Sequence, residues 1–287
     1  MTQYIKKILP AMALIVLLPC AGCIEAPEPE NPRGVLEAWI DSNGNPVVLF
    51  TASFVDDDEQ SMVDKVIRWG HVRITDGIDT IIMTGGPNRD FYPPYRYTTY
   101  AMRGVPGRTY TVIASWKQYS VRAQSRMPEP PDVVEVKEMP AADCDTLREV
   151  TVSIRAPQDV PAYYHVSTQV MSDDSSPTPA ILGCARADKP GEIVTMQVYR
   201  GKSRLNKKDF VPRIPSNTDV KVRVERVEPD IYQFWMNFND ATLFGGSMLV
   251  TINKPLGGNV EGGYGYFSAQ GVTDILLPAI ASPTASP

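Results

Sequence analysis

Few residues in this chain have the types and spacing to do chemistry. Its two histidines are His71 and His165. Nucleophilic catalysis needs a histidine that its neighbours orient as a base. His71 sits in Gly70-His71-Val72-Arg73-Ile74 and His165 in Tyr163-Tyr164-His165-Val166-Ser167. Both runs read as strands without a local partner motif, so both rings are expected to be packed or to lie on a sheet surface. Histidines this far apart also lack the spacing of a zinc site. Carboxylates are harder to dismiss, because a hydrolase pair can be assembled from any two strand ends. The densest acids, Asp56-Asp57-Asp58-Glu59, read as a solvated loop, with a loose calcium site as the alternative. A calcium loop starting at Asp41 fails, since its twelfth position is Ala52 rather than Glu. The expectation is a protein without catalytic residues, metal or cofactor.

Aromatic residues crowd one stretch, Phe91-Tyr92-Pro93-Pro94-Tyr95-Arg96-Tyr97, with Tyr100 close behind. Rings beside an arginine suit stacking on a sugar ring or an amphipathic protein contact; folded inward, they would cover the end of a sandwich. Phe91, Tyr92, Tyr95, Arg96, Tyr97 and Tyr100 are the candidate binding surface.

The third chemistry belongs to cysteine. Lys6 and Lys7 precede the apolar run Ile8 to Leu18, followed by Pro19-Cys20-Ala21-Gly22-Cys23. A basic start, an apolar core and small residues before a cut make a secretory signal. The core is about 11 residues, roughly 16 Å as a helix, against roughly 30 Å of bilayer hydrocarbon, so it is too short to span. Ala21-Gly22-Cys23 resembles a bacterial lipobox, in which the cysteine is acylated; Cys20 stands where leucine is usual. Residues 1–22 are therefore expected to be a lipoprotein signal peptide, with Cys23 as the lipidated residue and membrane anchor. Cys144 and Cys184 remain. In an oxidising compartment they can pair, or they can stay separate buried thiols.

The elements that would position these residues are mostly strands. Glu25 to Pro32 alternates acid with proline and reads as an extended tether over 23–32. Val35 to Ile40, Pro46 to Phe54, Val66 to Thr75, Ile78 to Met83 and Tyr97 to Arg103 read as strands, with Asp76-Gly77 as a hairpin turn. Tyr110, Val112, Ala114 and Trp116 alternate with Thr109, Thr111, Ile113 and Ser115, which gives one apolar and aromatic face, the pattern of a half-buried strand, and Ser120 to Arg126 follows. Seven or so strands ending at the Pro-rich Met127 to Pro131 suit an immunoglobulin- or fibronectin-like sandwich over 33–131. Leu147 to Ala156, Tyr163 to Met171, Ile193 to Tyr199 and Val220 to Val227 continue the alternation in a second β-rich domain, 132–278. Within it Ile231, Phe234, Trp235 and Phe238 form a single helical stripe after Glu228-Pro229, expected to pack on its own sheet. Ser247 to Ile252 returns to strand. The glycines of Asn259 to Phe267 suit a strand that bends or approaches another backbone closely. A frayed, disordered tail covers 279–287. The fold class is all-β and mainly antiparallel, with one short amphipathic helix.

The chain carries a formal charge of −5, which becomes −7 once Lys6 and Lys7 are removed. That balance argues against nucleic acid, which selects clustered Lys and Arg.

Taken in order, the lipobox, the opening strand Val35 to Ile40, Gly107-Arg108-Thr109-Tyr110, Pro128 to Pro131, Tyr163-Tyr164, Tyr232-Gln233-Phe234-Trp235 and the glycine strand Asn259 to Phe267 resemble one family. It is the Bacteroidota outer-membrane lipoprotein family catalogued as domain of unknown function four-two-four-nine. The resemblance covers nearly the whole chain; Cys20 and the irregular stretch Leu205 to Pro215 depart from it. It implies a two-part β-rich lipoprotein of the outer membrane, facing the periplasm or the cell surface. It further implies a non-enzymatic accessory to a TonB-dependent transporter barrel in nutrient or ligand capture, and supplies no catalytic residue. The alternatives are an adhesion or fimbria-like module with an open edge strand and a carboxylate-based hydrolase.

Overall fold

The computed structural model describes residues 33–53, 63, 65–201, 211–244 and 256–280. The expected signal peptide, Cys23, the tether, the acids Asp56 to Glu59, the strand Ser247 to Ile252 and residues 281–287 lie outside the described residues.

In chain order the strands are β1 Gly34–Asp41, β2 Val47–Ala52, β3 His71–Thr75, β4 Thr80–Ile82, β5 Thr84–Pro87, β6 Tyr95–Thr98, β7 Thr109–Trp116 and β8 Tyr119–Arg126. There follow β9 Asp132–Ala141, β10 Cys144–Arg155, β11 Ala162–Val170, β12 Thr178–Ala187, β13 Ile193–Val198, β14 Ile214–Pro215 and β15 Val220–Val227. Helix α1 spans Pro229–Phe244, and β16 Val260–Glu261 and β17 Gly263–Leu277 close the order. The protein is all-β, as the alternation predicts. The named strands pair antiparallel except β1 and β17, which run parallel.

One eight-stranded sheet, ordered β12-β11-β15-β17-β1-β2-β6-β5, organises the rest. Side chains alternate across a strand, so this sheet has two distinct faces. On one face Leu36, Ala38, Ile40, Val48, Phe50, Phe267 and Ala269 meet Val72, Ile74, Tyr110, Val112, Ala114, Val121 and Ala123 of the five-stranded sheet β16-β8-β7-β3-β4 in one buried core. Farther along, Tyr164, Val166, Val222 and Val224 meet Val150, Val152, Ile154, Met196 and Val198 of the sheet built on β9, β10, β13 and β14 in a second. The molecule therefore holds two sandwiches that share one wall. An isolated immunoglobulin-like sandwich would end at its own last hairpin. Here β17 pairs with β1 over Gly263 to Gln270 and with β15 over Gly271 to Leu277, contributing to both cores.

The glycine strand makes this route feasible. β16 pairs with β8 in the five-stranded sheet, and two residues later the chain enters the long sheet as β17. At Gly265, φ is +104° and an added Cβ would lie 2.0 Å from the Leu36 carbonyl oxygen, so only glycine lets β17 run this close to β1. Asn259 fixes the corner: its Nδ2 donates to the Phe267 carbonyl and its Oδ1 accepts from the Phe267 N–H, each at 2.9 Å. At the other end of β17, the buried Arg148 of β10 donates to the carbonyls of Pro278 and Thr218 and to Glu138.

Some boundaries move. The strand expected at Tyr97 to Arg103 is shorter, because the segment after Thr98 turns away to bond the β1–β2 turn: Asn45 Nδ2 donates to Met102 O, and Gly104 N to Gly44 O. β9 and β12 have no clear pattern in the sequence. The first is largely exposed, and the second carries a bulge and Leu182 at φ 56°. Among the described residues no helix is long and apolar enough to cross a membrane.

Candidate functional site

The face of the long sheet turned away from both cores carries the site. Period two places Glu37, Trp39 and Asp41 of β1 on this face, next to Tyr266, Ser268 and Gln270 of β17. It likewise places Arg223 and Glu225 of β15 next to His165 and Ser167 of β11.

Helix α1 closes one end of that face. It begins at Pro229, whose missing N–H is no loss in a first turn, and Asp230 adds a favourable charge there. The stripe Ile231, Phe234, Trp235 and Phe238 does lie along one side of α1. Its N-terminal part packs with Val227 and Tyr266 in a small third core, and Trp235 and Phe238 reach beyond it.

Between this helix, the sheet face and two loops lies a cavity of about 530 Å³. One loop brings Asp90, Phe91 and Tyr92; the other, between β11 and β12, brings Asp173 to Pro177, and β12 opens with Thr178 and Pro179 on the same wall. The loops touch over the cavity, where the Ser176 hydroxyl donates to the Asp90 carbonyl at 3.0 Å. Aromatic rings supply much of the wall. Trp39 meets Phe91 edge-on at 5.7 Å, and Trp235 contacts Phe234, Phe238 and Tyr266 with centroids 5.2 to 5.6 Å apart.

The charged groups set deep in the wall are matched within the protein. Arg223 grips Asp274 with Nε and Nη2, at 2.8 and 3.0 Å, and donates from Nη1 to Asp41 at 2.6 Å. Burial opposes its charge, but the Asp274 hydrogen bond and the two carboxylates raise its pKa. Asp41 also accepts from Gln270 Nε2 at 2.9 Å; burial outweighs the help of Arg223 and holds its carboxyl above the usual aspartate value. Glu225 is buried, with Oε2 2.6 Å from His165 Nδ1 and Oε1 accepting from the Ser167 hydroxyl at 2.9 Å. The His165 ring stacks on Trp235, 4.5 Å away and within 9° of parallel. Serine and histidine thus bind the same carboxylate. The hydroxyl proton points to Glu225 rather than to the imidazole, which is not the order of a nucleophile and its base.

The expected binding surface divides. Phe91 and Tyr92 line the cavity, and the Arg96 guanidinium lies 5.6 Å from the Phe91 centroid. Tyr97 belongs to the first core: its buried hydroxyl donates to Ile67 O at 2.6 Å and accepts from Gly70 N. Tyr95 packs beside Tyr97 and donates to Arg68 O. Tyr100 is exposed and does not line the cavity. His71 is exposed on β3, as a sheet-surface residue should be, whereas His165 is packed. Cys144 and Cys184 are separate free thiols. Cys144 lies 3.1 Å from the Thr146 hydroxyl, and Cys184 accepts from Asn239 Nδ2. Among the described residues no group of three or more His, Cys, Asp or Glu side chains could hold a metal ion.

No motif in the sequence marks Trp39, Arg223, Glu225 or Gln270 as part of a site. The available signal is the alternation of Lys221, Arg223 and Glu225 with valines, which reads equally well as a solvated strand face.

Residues 24–275 match the family model described as a domain of unknown function (DUF4249). No curated protein matches the chain.

Proposed function

The chain belongs to the DUF4249 family, and from the aromatic cavity on its shared sheet we propose that it is a non-enzymatic ligand-binding lipoprotein, anchored through Cys23 in the outer membrane. In this reading it presents a captured ligand to a TonB-dependent transporter. The observation that carries the binding role is the cavity. Its volume lies within the range of small-molecule sites, roughly 300 to 1,000 Å³, and rings with a few fixed polar groups are the usual lining. The placement of Ser167 and His165 on one carboxylate supports binding over catalysis. The signal pattern, the lipobox and the acidic, Pro-rich tether support the anchor.

The test is purification from native outer membrane in mild detergent, with Cys23→Ala as the unanchored control. The expected result is membrane retention that depends on Cys23 and recovery of a TonB-dependent barrel in near-equal amount. Recovery alone or only with itself would overturn the transporter role, and unchanged membrane retention of Cys23→Ala would overturn the anchor.

A further inference from the structure

We propose that the cavity takes a neutral saccharide of one or two rings, an inference that rests on the cavity being the ligand site. The size comes first. At about 30 Å³ per water in the liquid, 530 Å³ holds a ligand with on the order of 20 non-hydrogen atoms.

Charge comes second. The largely buried cation Arg223 is held between Asp41 and Asp274, and the buried anion Glu225 between His165 and Ser167. Asp174 accepts from Val170 N and lies near Arg200. To gain a buried counter-charge an ionic ligand would have to break one of these pairs, leaving a buried charge uncompensated; the other carboxylates of the lining, Glu37, Asp90 and Asp173, are exposed, where water screens their charge. A purely aliphatic ligand would fare no better. It would strip water from Asp90 and Gln270 without replacing the hydrogen bonds, at about 1 to 3 kcal/mol per group.

A sugar meets both demands. Its C–H faces can lie on the rings of Trp39, Tyr92 and Phe238, and its hydroxyls can bond polar groups between them. Gln270 commits its Nε2 to Asp41, so Oε1 is the atom it can offer to a ligand hydroxyl. Ser268, the register partner of Trp39 on the same sheet face, has a buried hydroxyl that no protein atom pairs among the described residues. It is a further polar group behind this wall.

The experiment screens the soluble Cys23→Ala protein on an array of neutral mono- and oligosaccharides. Hits are titrated by calorimetry, with tetramethylammonium and decanoate as charged comparison probes. The expected result is a saccharide with a Kd of roughly 10 μM to 1 mM. Trp39→Ala and Tyr92→Ala should each weaken it about tenfold or more, while Trp69→Ala, at an exposed tryptophan outside the cavity, should leave it unchanged. Circular dichroism of each variant verifies that it remains folded. If no saccharide binds but either charged probe does, and Trp39→Ala weakens that probe, the saccharide assignment fails while the cavity remains a ligand site. If no probe binds in a manner sensitive to Trp39 or Tyr92, both readings fail.

Discussion

At the scale of single residues, position across the sheet decides what a side chain can do. His165 and Glu225 are 60 residues apart in sequence, yet adjacent strands place them in register. No local motif could reveal that pairing. The aromatic run at 91–100 was legible as a cluster, but alternation and turns send its members to different places: Tyr97 inward, Phe91 and Tyr92 to the cavity, Tyr100 to solvent. Cysteine chemistry follows the same logic. Burial, reinforced by the nearby Glu225 carboxylate, pushes the Cys184 thiol up to about 12. The thiolate is the reactive form, so Cys184 should resist iodoacetamide at pH 8 in the folded protein and react fully once unfolded. Peptide mapping after timed labelling checks this; rapid labelling of native Cys184 would contradict it.

At the scale of elements, turns and close approaches carry stability that strand patterns do not display. Asp76-Gly77 was legible as a hairpin. Asp76 Oδ1 accepts the backbone N–H groups of Asp79 and Ile78, and Arg108 pairs with the same carboxylate. These bonds, that from Asp79 foremost, hold the Asp76 carboxyl below its usual value. A lowered carboxylate pKa contributes stability above the unfolded value of about 3.9, and that contribution is lost as pH falls through the folded value. Asp76→Ala should therefore lower stability by about 1 kcal/mol at pH 7, and thermal melts of the two proteins should converge as pH falls through the folded value. The glycine strand was legible as a bend or close approach, though not its partner. Gly265→Ala would force a side chain into a left-handed conformation and against the Leu36 carbonyl. The expected loss is roughly 3 kcal/mol, read as a lower midpoint in urea. A midpoint matching the parent protein would mean that β17 does not approach β1 so closely.

At the scale of the whole molecule, the sequence reads as two successive β-rich parts divided near residue 131. Two cores do form, one drawn mainly from residues before that point and one from residues after it. What the sequence could not display is that the last strand returns to lie beside the first, because strand pairing across more than 200 residues leaves no local trace. The cavity depends on that return: β17 brings Tyr266 and Gln270 between the side chains of β1 and β15. A strand common to both cores also couples their stability, since neither can lose β17 without exposing apolar surface in the other. The two halves should therefore unfold together. Trp116 lies beside the first core, and Trp235 sits on α1 where that helix packs on β11 and β12. Variants retaining only one or the other tryptophan therefore report on each half. Their fluorescence midpoints in urea should coincide, and Val152→Ala, a deletion in the second core, should lower both by the same amount. Two separate midpoints, with only the Trp235 signal responding to Val152→Ala, would show that the shared strand does not bind the halves into one cooperative unit.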